Sequence, residues 1–202
     1  MIGLVGDVRQ YGVDQEAVAQ FYSPMSIGWL FMNLAATGHA DQVSLLDGSV
    51  EAWQAAGHDV ATGTPAAAPA RRRYTVSPDA AVAVDAAWVR AHLDDASVRL
   101  LDVRSEREWN GGTIPGAAPV LWQDLYADLD TGRFKDEAGL RGVFARAGVG
   151  DGQTVVTCCA VGMRASLMYF AARALGRPAR VCVGSWSDWR SRPGYPIERQ
   201  HE

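Results

Sequence analysis

The amino-acid sequence predicts an α/β protein built around a central parallel β-sheet with helices on both faces. Two observations carry this prediction. Short apolar runs rich in β-branched residues, such as 98–103 and 154–157, are typical of buried strands. Helix-length stretches that end at a glycine, such as 137–147 and 166–175, lie between and after those runs. Strands that alternate with helices form parallel sheets, and ligands bind at the carboxyl ends of their strands.

The first 60 residues carry a shorter version of the same pattern. The predicted elements are, in order, a strand at 2–5, an apolar helix at 26–36 ended by Gly38, a strand at 43–46, and a short helix capped by Ser49 that ends before Gly57. Residues 61–70 are rich in Ala, Pro, Gly and Thr, which is typical of a linker.

The longer part of the chain then follows. Its predicted elements are extended pieces within 74–84, a helix at 86–93 capped by Asp85, the strand 98–103, a short helix after Ser105, a helix at 121–127, a polar loop at 128–136, the helix 137–147, the strand 154–157 and the helix 166–175. Ser105 is followed three residues later by Glu108, the spacing of a capping box.

Composition excludes several classes of function. The chain is 48% apolar and 21% charged, with a formal net charge of -4, so neither nucleic acid nor an anionic membrane is an expected partner. No apolar stretch is long enough to span a bilayer, and no signal peptide is visible. Three cysteines argue against a disulfide framework and favour the cytoplasm. The scattered histidines and cysteines predict no metal site, and we expect no cofactor.

Cys159 is the candidate nucleophile. It follows the strand 154–157 and precedes a helix, so the unpaired N–H groups and dipole of the helix start favour a negative charge there. Arg164 adds a cation five positions later. We therefore expect the thiol to be partly ionised, which is the nucleophilic form. The competing interpretation is that Cys159 only packs in the core, as most cysteines do.

An internal repeat indicates two related units. Gly48–Trp53 and Gly184–Trp189 share the pattern G-S-x-x-x-W after an apolar strand. The position that matches Cys159 falls near Asp7, where there is no cysteine. The sequence thus predicts a partial, inactive unit at 1–60, a linker at 61–76 and a catalytic domain at 77–202. The first unit is either shortened or begins upstream.

Several ordered motifs together resemble the rhodanese family of tandem-domain sulfurtransferases. They are Leu101-Asp102-Val103-Arg104-Ser105 with Glu108-Trp109, Gly112-Thr113-Ile114-Pro115-Gly116-Ala117, the loop Cys159–Arg164, and Gly184-Ser185-Trp186-Ser187-Asp188-Trp189. The resemblance covers residues 77–200 well and residues 1–60 moderately. It implies a rhodanese-like three-layer domain, preceded by a partial second copy.

The resemblance also implies a mechanism and a site. Cys159 would take a sulfane sulfur from a small-molecule donor such as thiosulfate, and would pass it from a persulfide to cyanide or another thiophilic acceptor. The loop residues Ala160, Val161, Gly162, Met163 and Arg164 would surround the sulfur and bind the donor. Arg104 is a further candidate substrate contact, although a buried pair with Asp102 that orders loops is the interpretation we favour. A homodimer could cover the open sheet edge of a shortened first unit.

Some positions depart from the family pattern. Arginines that bind the carboxylate of mercaptopyruvate in relatives are replaced here by Glu108 and the Gly111-Gly112 turn, which favours thiosulfate or an unknown donor. Cys158 replaces a common aromatic residue, either as a second thiol or, as strand alternation favours, as a packing residue.

Two other functions stay open. Cysteine-dependent phosphatases and arsenate reductases use a similar anion loop, with five residues between Cys and Arg where this chain has four. A degenerate rhodanese-like binding module would need neither Cys159 nor Arg164.

Overall fold

The computed structural model describes residues 4–5, 24–48, 50–60 and 75–199. Its strands are β1 (Leu4–Val5), β2 (Leu45–Leu46), β3 (Ala83–Val84), β4 (Val98–Asp102), β5 (Ala118–Pro119), β6 (Tyr126–Asp128), β7 (Arg133–Phe134), β8 (Thr154–Cys158) and β9 (Ala179–Cys182). Its α-helices are α1 (Pro24–Ala36), α2 (Val50–Ala55), α3 (Ala86–Ala91), α4 (Glu106–Asn110), α5 (Glu137–Arg146), α6 (Met163–Ala174) and α7 (Ser185–Ser191). No described helix is long and apolar enough to cross a membrane.

A five-stranded sheet forms the centre of the fold. Its strand order is β3-β9-β8-β4-β5, and every neighbouring pair is parallel. β8 lies in the middle, where Thr157 pairs with Leu101 on one side and with Val181 on the other. The predicted α/β class with a central parallel sheet is therefore confirmed. The carboxyl end of β8, where Cys159 follows, has neighbouring strands on both sides.

The side chains of β8 alternate between two cores. Val155, together with Cys159 beyond the strand end, packs with side chains of α5 and α6 on one face. Val156 and Cys158 pack with α3 and with Trp189 of α7 on the other face. This period-two alternation sorts consecutive residues into opposite layers. Cys159 therefore lies on the α6 side of the sheet, and its neighbour Cys158 does not.

Helix α1 adds a further layer outside α6. The Phe31 ring, fully buried, contacts the Phe170 ring edge-on with 4.9 Å between centroids. A Cβ on Gly28 would lie 2.9 Å from Leu167 Cδ2, so the two helices approach more closely here than a residue with a side chain would allow. The amino-terminal segment thus packs against the helix that follows Cys159.

The two G-S-x-x-x-W motifs are alike at their glycines and in the helices that follow. β2 leads through Gly48 into α2, and β9 leads through Gly184 into α7. Both glycines have positive φ, 109° and 81°. A Cβ on either would lie 2.7 Å from the Cβ of the residue four positions later. The two motifs therefore match locally, whereas a second copy of the whole unit stays a prediction. Most of the proposed linker, 61–76, lies outside the described residues.

Two predicted elements between residues 121 and 136 differ in the structure. The prediction of a helix at 121–127 is wrong, because a short 3₁₀ helix at Trp122–Leu125 leads directly into β6. The polar loop at 128–136 contains β7, which pairs antiparallel with β6. The turn between β6 and β7 has a local cause. Asp128 accepts hydrogen bonds from the Asp130 N–H and the Thr131 hydroxyl, and these bonds stabilise the turn.

Candidate active site

Cys159 lies at the carboxyl end of β8 and is almost completely buried. Its backbone N–H donates to Ser185 Oγ (3.1 Å), and that hydroxyl donates to the Cys182 carbonyl (2.9 Å). Its carbonyl accepts the Trp186 N–H at 2.9 Å. These bonds fix the backbone of Cys159 against the start of α7, so the turn after β9 helps to position the thiol.

The loop folds back onto the sulfur. The Gly162 N–H donates to Cys159 Sγ at 3.0 Å, and the Ala160 carbonyl accepts the Ser187 N–H at 3.0 Å. The side chains of Val161 and Met163 are exposed to 54% and 37%. The structure therefore brings the predicted loop residues around Cys159, with a backbone amide on the sulfur and apolar side chains at the rim.

Helix α6 begins at Met163, three residues before the predicted start. Gly162 is its N-cap residue, with φ of 97°. Arg164 consequently lies in the first turn of the helix and not in the loop. This start also places the amino end of α6 directly next to the sulfur, where the helix dipole stabilises negative charge.

Arg164 forms a bidentate ion pair with Glu108. Its Nη1 donates to Oε2 and its Nη2 to Oε1, each at 2.8 Å. Glu108 Oε2 also accepts from the N–H and the hydroxyl of Ser105, which completes the predicted capping box of α4. The hydrogen bonds from Arg164 lower the pKa of Glu108 to about 2. Glu108 in turn raises the pKa of Arg164, and Cys159 adds to this effect.

Arg104 is buried in a second ion pair. Its guanidinium binds Asp102 (Nη2 to Oδ2, 2.6 Å) and the Gly112 carbonyl (2.7 Å), and lies 4.7 Å from the centroid of the Trp186 ring. Asp102 also accepts the Thr113 hydroxyl at 2.7 Å. The pair thus joins the end of β4 to two loops. These contacts favour the ordering role, and a substrate contact by Arg104 stays a prediction.

The other two cysteines are packing residues on the opposite face. Cys158 is fully buried, and burial raises the pKa of its thiol well above the ordinary value. Burial raises the pKa of Cys182 to about 12. A thiol that stays protonated is a poor nucleophile. The packing interpretation of Cys158 is therefore the one that its surroundings favour.

Two residues at the site were not predicted. Ser185 belongs to the repeated motif, but nothing in the sequence indicated that its hydroxyl would hold the Cys159 backbone. Trp29 of α1 covers the loop, since a Cβ on Gly162 would lie 3.0 Å from Trp29 Cζ3. That contact joins distant parts of the chain, and no local sequence signal could have revealed it.

Comparison with known proteins agrees with this fold. Residues 85–192 match the model of the rhodanese-like domain, so the chain belongs to the rhodanese family. It is 32% identical over 176 residues to a putative thiosulfate sulfurtransferase, SseB, of Mycobacterium tuberculosis, covering 82% of this chain and 60% of that protein. It is 33% identical over 172 residues to a probable 3-mercaptopyruvate sulfurtransferase of Pseudomonas aeruginosa, covering 79% and 59%. The chain thus spans about 60% of the length of these relatives.

Solved structures share the architecture. EanB in complex with ergothioneine superimposes with a TM-score of 0.75 at 23% identity, over 87% of this chain and 45% of that one. The anaerobic ergothioneine biosynthesis enzyme of Chlorobium limicola gives a TM-score of 0.77 at 21% identity, over 94% and 50%. At these identities the likeness establishes the rhodanese-like fold.

Proposed function

We propose that the protein is a sulfurtransferase that carries a sulfane sulfur on Cys159. A donor such as thiosulfate loads the cysteine, and a thiophilic acceptor such as cyanide unloads it. The observation that carries this proposal is the hydrogen bond from the Gly162 N–H to Cys159 Sγ (3.0 Å), at the carboxyl end of the central strand. A backbone amide on a cysteine sulfur stabilises that sulfur when it is negatively charged.

The proposed reaction has two steps. The Cys159 thiolate attacks the outer sulfur of thiosulfate; a new S–S bond forms, the old one breaks, and sulfite leaves with the electron pair. Cyanide then attacks the outer sulfur of the persulfide, thiocyanate leaves, and the thiolate is restored. Donor and acceptor react in turn, so ping-pong kinetics are expected. The helix start and the loop amide are placed to stabilise the negative sulfur in both forms.

The relatives support sulfur transfer in general terms. Two that are at least 30% identical are named thiosulfate and 3-mercaptopyruvate sulfurtransferases, and a sulfur carrier protein, TtuD, of Thermus thermophilus is 25% identical over 96% of this chain. These names include both donors and do not distinguish between them. Glu108, paired with Arg164, is our reason to favour thiosulfate over mercaptopyruvate.

The phosphatase or arsenate reductase alternative is less well supported by the geometry. Four residues separate Cys159 from Arg164, and α6 begins within that interval, at Met163. The terminal nitrogens of Arg164 both bind Glu108. Turnover of an aryl phosphate that disappears in a Cys159→Ser variant would favour the phosphatase instead.

Mass spectrometry of the intact protein tests the proposal. Thiosulfate should add about 32 Da, one sulfur atom, to Cys159, and cyanide should remove it as thiocyanate. Cys159→Ala should abolish both, whereas Cys158→Ala, which alters the neighbouring buried thiol, should leave the mass shift in place. Thiocyanate production that survives in Cys159→Ala would disprove the mechanism, and no adduct in the unaltered protein would favour a binding module.

A further inference from the structure

A cavity of about 310 Å³ lies at the amino ends of β4 and β8. Its lining includes Val98 and Arg99 at the start of β4 and Gln153 just before β8, whereas Cys159 follows the carboxyl end of β8. Because β4 and β8 are parallel, the cavity lies on the edge of the sheet opposite Cys159. Its volume is at the lower end of the range of about 300–1,000 Å³ that small-molecule pockets span, so it has room for a molecule of amino-acid size.

The floor of the cavity is apolar. Val89 of α3, Leu100 of β4 and Val156 of β8 line it, and each is at most 7% exposed. These side chains belong to the core on the α3 and α7 face of the sheet. A ligand that fills the cavity therefore needs an apolar part, because a polar group placed against this floor would lose its hydrogen bonds to water without replacement.

Arg99 brings a fixed positive charge to one side of the cavity. Its Nε donates to the Ala147 carbonyl at 2.9 Å, and a Cβ on Gly148 would lie 3.2 Å from its Nη2, so the guanidinium lies against the backbone of a glycine. Within the part of the chain that the structure describes, no carboxylate pairs with Arg99. Its terminal nitrogens are therefore available to bind the carboxylate of a ligand.

The α3 side of the cavity offers hydrogen-bond acceptors. The His92 ring stacks on the Trp88 ring with 3.8 Å between centroids, and its Nδ1 lies 2.8 Å from the Trp88 carbonyl. Because a carbonyl can only accept, Nδ1 carries the proton, and Nε2 of the neutral ring is an acceptor. Asp94 adds an exposed carboxylate to the same lining, and Asp95 beside it accepts the N–H and the hydroxyl of Ser97. This side suits an ammonium group.

We propose that this cavity binds a small zwitterion with an apolar side chain, an apolar α-amino acid, with its carboxylate on Arg99 and its ammonium on Asp94 and His92 Nε2. A simple carboxylate would bring its charge towards Asp94 and Asp95, and a simple amine would bring its charge towards Arg99. A zwitterion matches both sides, and its side chain covers the apolar floor. This site is separate from Cys159 and does not depend on the proposed function.

Leucine, isocaproate and isoamylamine are matched probes, because isocaproate lacks the ammonium of leucine and isoamylamine lacks its carboxylate. We expect leucine to bind with a Kd on the order of 1 mM or lower, the range that two charged hydrogen bonds supply. Each analogue should bind at least about tenfold more weakly, since each loses one charged hydrogen bond. A ligand-observed NMR titration measures the three affinities.

Two substitutions locate the site. Asp94→Asn, at an exposed position where the fold should persist, should weaken the binding of leucine by about tenfold and should not weaken that of isocaproate. Arg99→Gln should weaken the binding of leucine and isocaproate and should not weaken that of isoamylamine. Asp130→Asn and Arg190→Gln are the controls, since they make the same changes at exposed residues outside the cavity.

The outcomes that contradict the proposal are distinct. Leucine affinities in Asp94→Asn and Arg99→Gln that equal those of their controls would overturn the site. Equal affinities for the three probes would overturn the zwitterion assignment, as would the absence of saturable binding at about 10 mM leucine. Cys159→Ala should bind leucine as tightly as the unaltered protein, so the result is independent of whether Cys159 transfers sulfur.

Discussion

At the scale of single residues, Gly162 meets three requirements at once. Its φ of 97° lies in the left-handed region that a residue with a Cβ adopts only with strain. The space where a Cβ would stand is occupied by Trp29, whose Cζ3 would be 3.0 Å away. The same residue supplies the N–H that binds Cys159 Sγ. Backbone conformation, packing and the proposed chemistry therefore all depend on a glycine at position 162.

We expect Gly162→Ala to destabilise the protein and slow the loading of Cys159. The strained φ should cost about 1–3 kcal/mol in the free energy of unfolding. Displacement of the amide from the sulfur should reduce the rate of persulfide formation, by up to about 100-fold for a shift near 1 Å. Urea denaturation and time-resolved mass spectrometry measure the two effects.

Gly142→Ala is the matched control. Gly142 lies within α5, where an added Cβ would come no closer than 3.5 Å to another side chain. Alanine there should stabilise the helix by about 0.5–1 kcal/mol and leave loading unchanged. If both substitutions shift stability in the same direction, the conformational argument for Gly162 fails.

At the scale of elements, Glu108 joins α4 to α6. Within α4 it completes the capping box with Ser105, and across the site it binds Arg164 in the first turn of α6. The connection between α4 and α6 is an ion pair that is partly exposed, with 19% of the arginine and 37% of the glutamate side chain accessible. Solvent screening therefore limits how much the pair contributes to stability.

This connection predicts a dependence of stability on pH. Folding lowers the pKa of Glu108 from its ordinary 4.5 to about 2. The stability that the ionised Glu108 carboxylate contributes is therefore fully present above pH 4.5 and is lost as the pH falls through about 2. We expect Glu108→Gln to flatten this acid-side loss. The urea midpoint, measured from neutral pH down to about 2, tests it, with Glu106→Gln as control. Equal pH profiles for the Glu108→Gln variant and the unaltered protein would contradict the assignment.

Local elements could be predicted from the sequence, and long-range contacts could not. The caps at Asp85 and Ser105 use partners three residues away, and the structure confirms both. α6 begins three residues before the predicted start, at Met163, because Gly162 adopts a positive φ and serves as its N-cap; Ser, Thr, Asp and Asn are the residues that usually mark this position in a sequence.

The contacts that shape the site join distant segments. Arg164 and Glu108 are 56 residues apart, so nothing in either motif indicated that the cation of the loop would already be paired. The departure from the family pattern at Glu108 was visible in the sequence. Its consequence, the ion pair with Arg164, is seen only in the folded structure, where α4 lies beside the amino end of α6.

At the scale of the whole molecule, the amino-terminal segment contributes to the core around the Cys159 site. α1 packs along α6, and the hydrogen bonds from the Ser77 and Asp79 N–H groups to the carbonyls of Thr37 and Ala36 tie its end to the chain before β3. Trp29 from the same helix lies against Gly162. The amino-terminal segment therefore supports the helix whose start positions the loop, although residues 1–60 contain no cysteine.

Phe31→Ala tests this dependence in the full chain. Phe31 is fully buried between the rings of Phe170 and Tyr169, at 4.9 and 6.3 Å, so its removal leaves a cavity between α1 and α6. We expect a loss of about 3–5 kcal/mol in the free energy of unfolding, with slower loading of Cys159 because α6 loses its support. Trp53→Ala is the control, since Trp53 lies in the same segment but is only partly buried, with its ring tilted against that of His58. Should the two variants unfold at the same urea concentration, the α1–α6 contact does not stabilise the molecule, and the amino-terminal segment must be regarded as independent of the site.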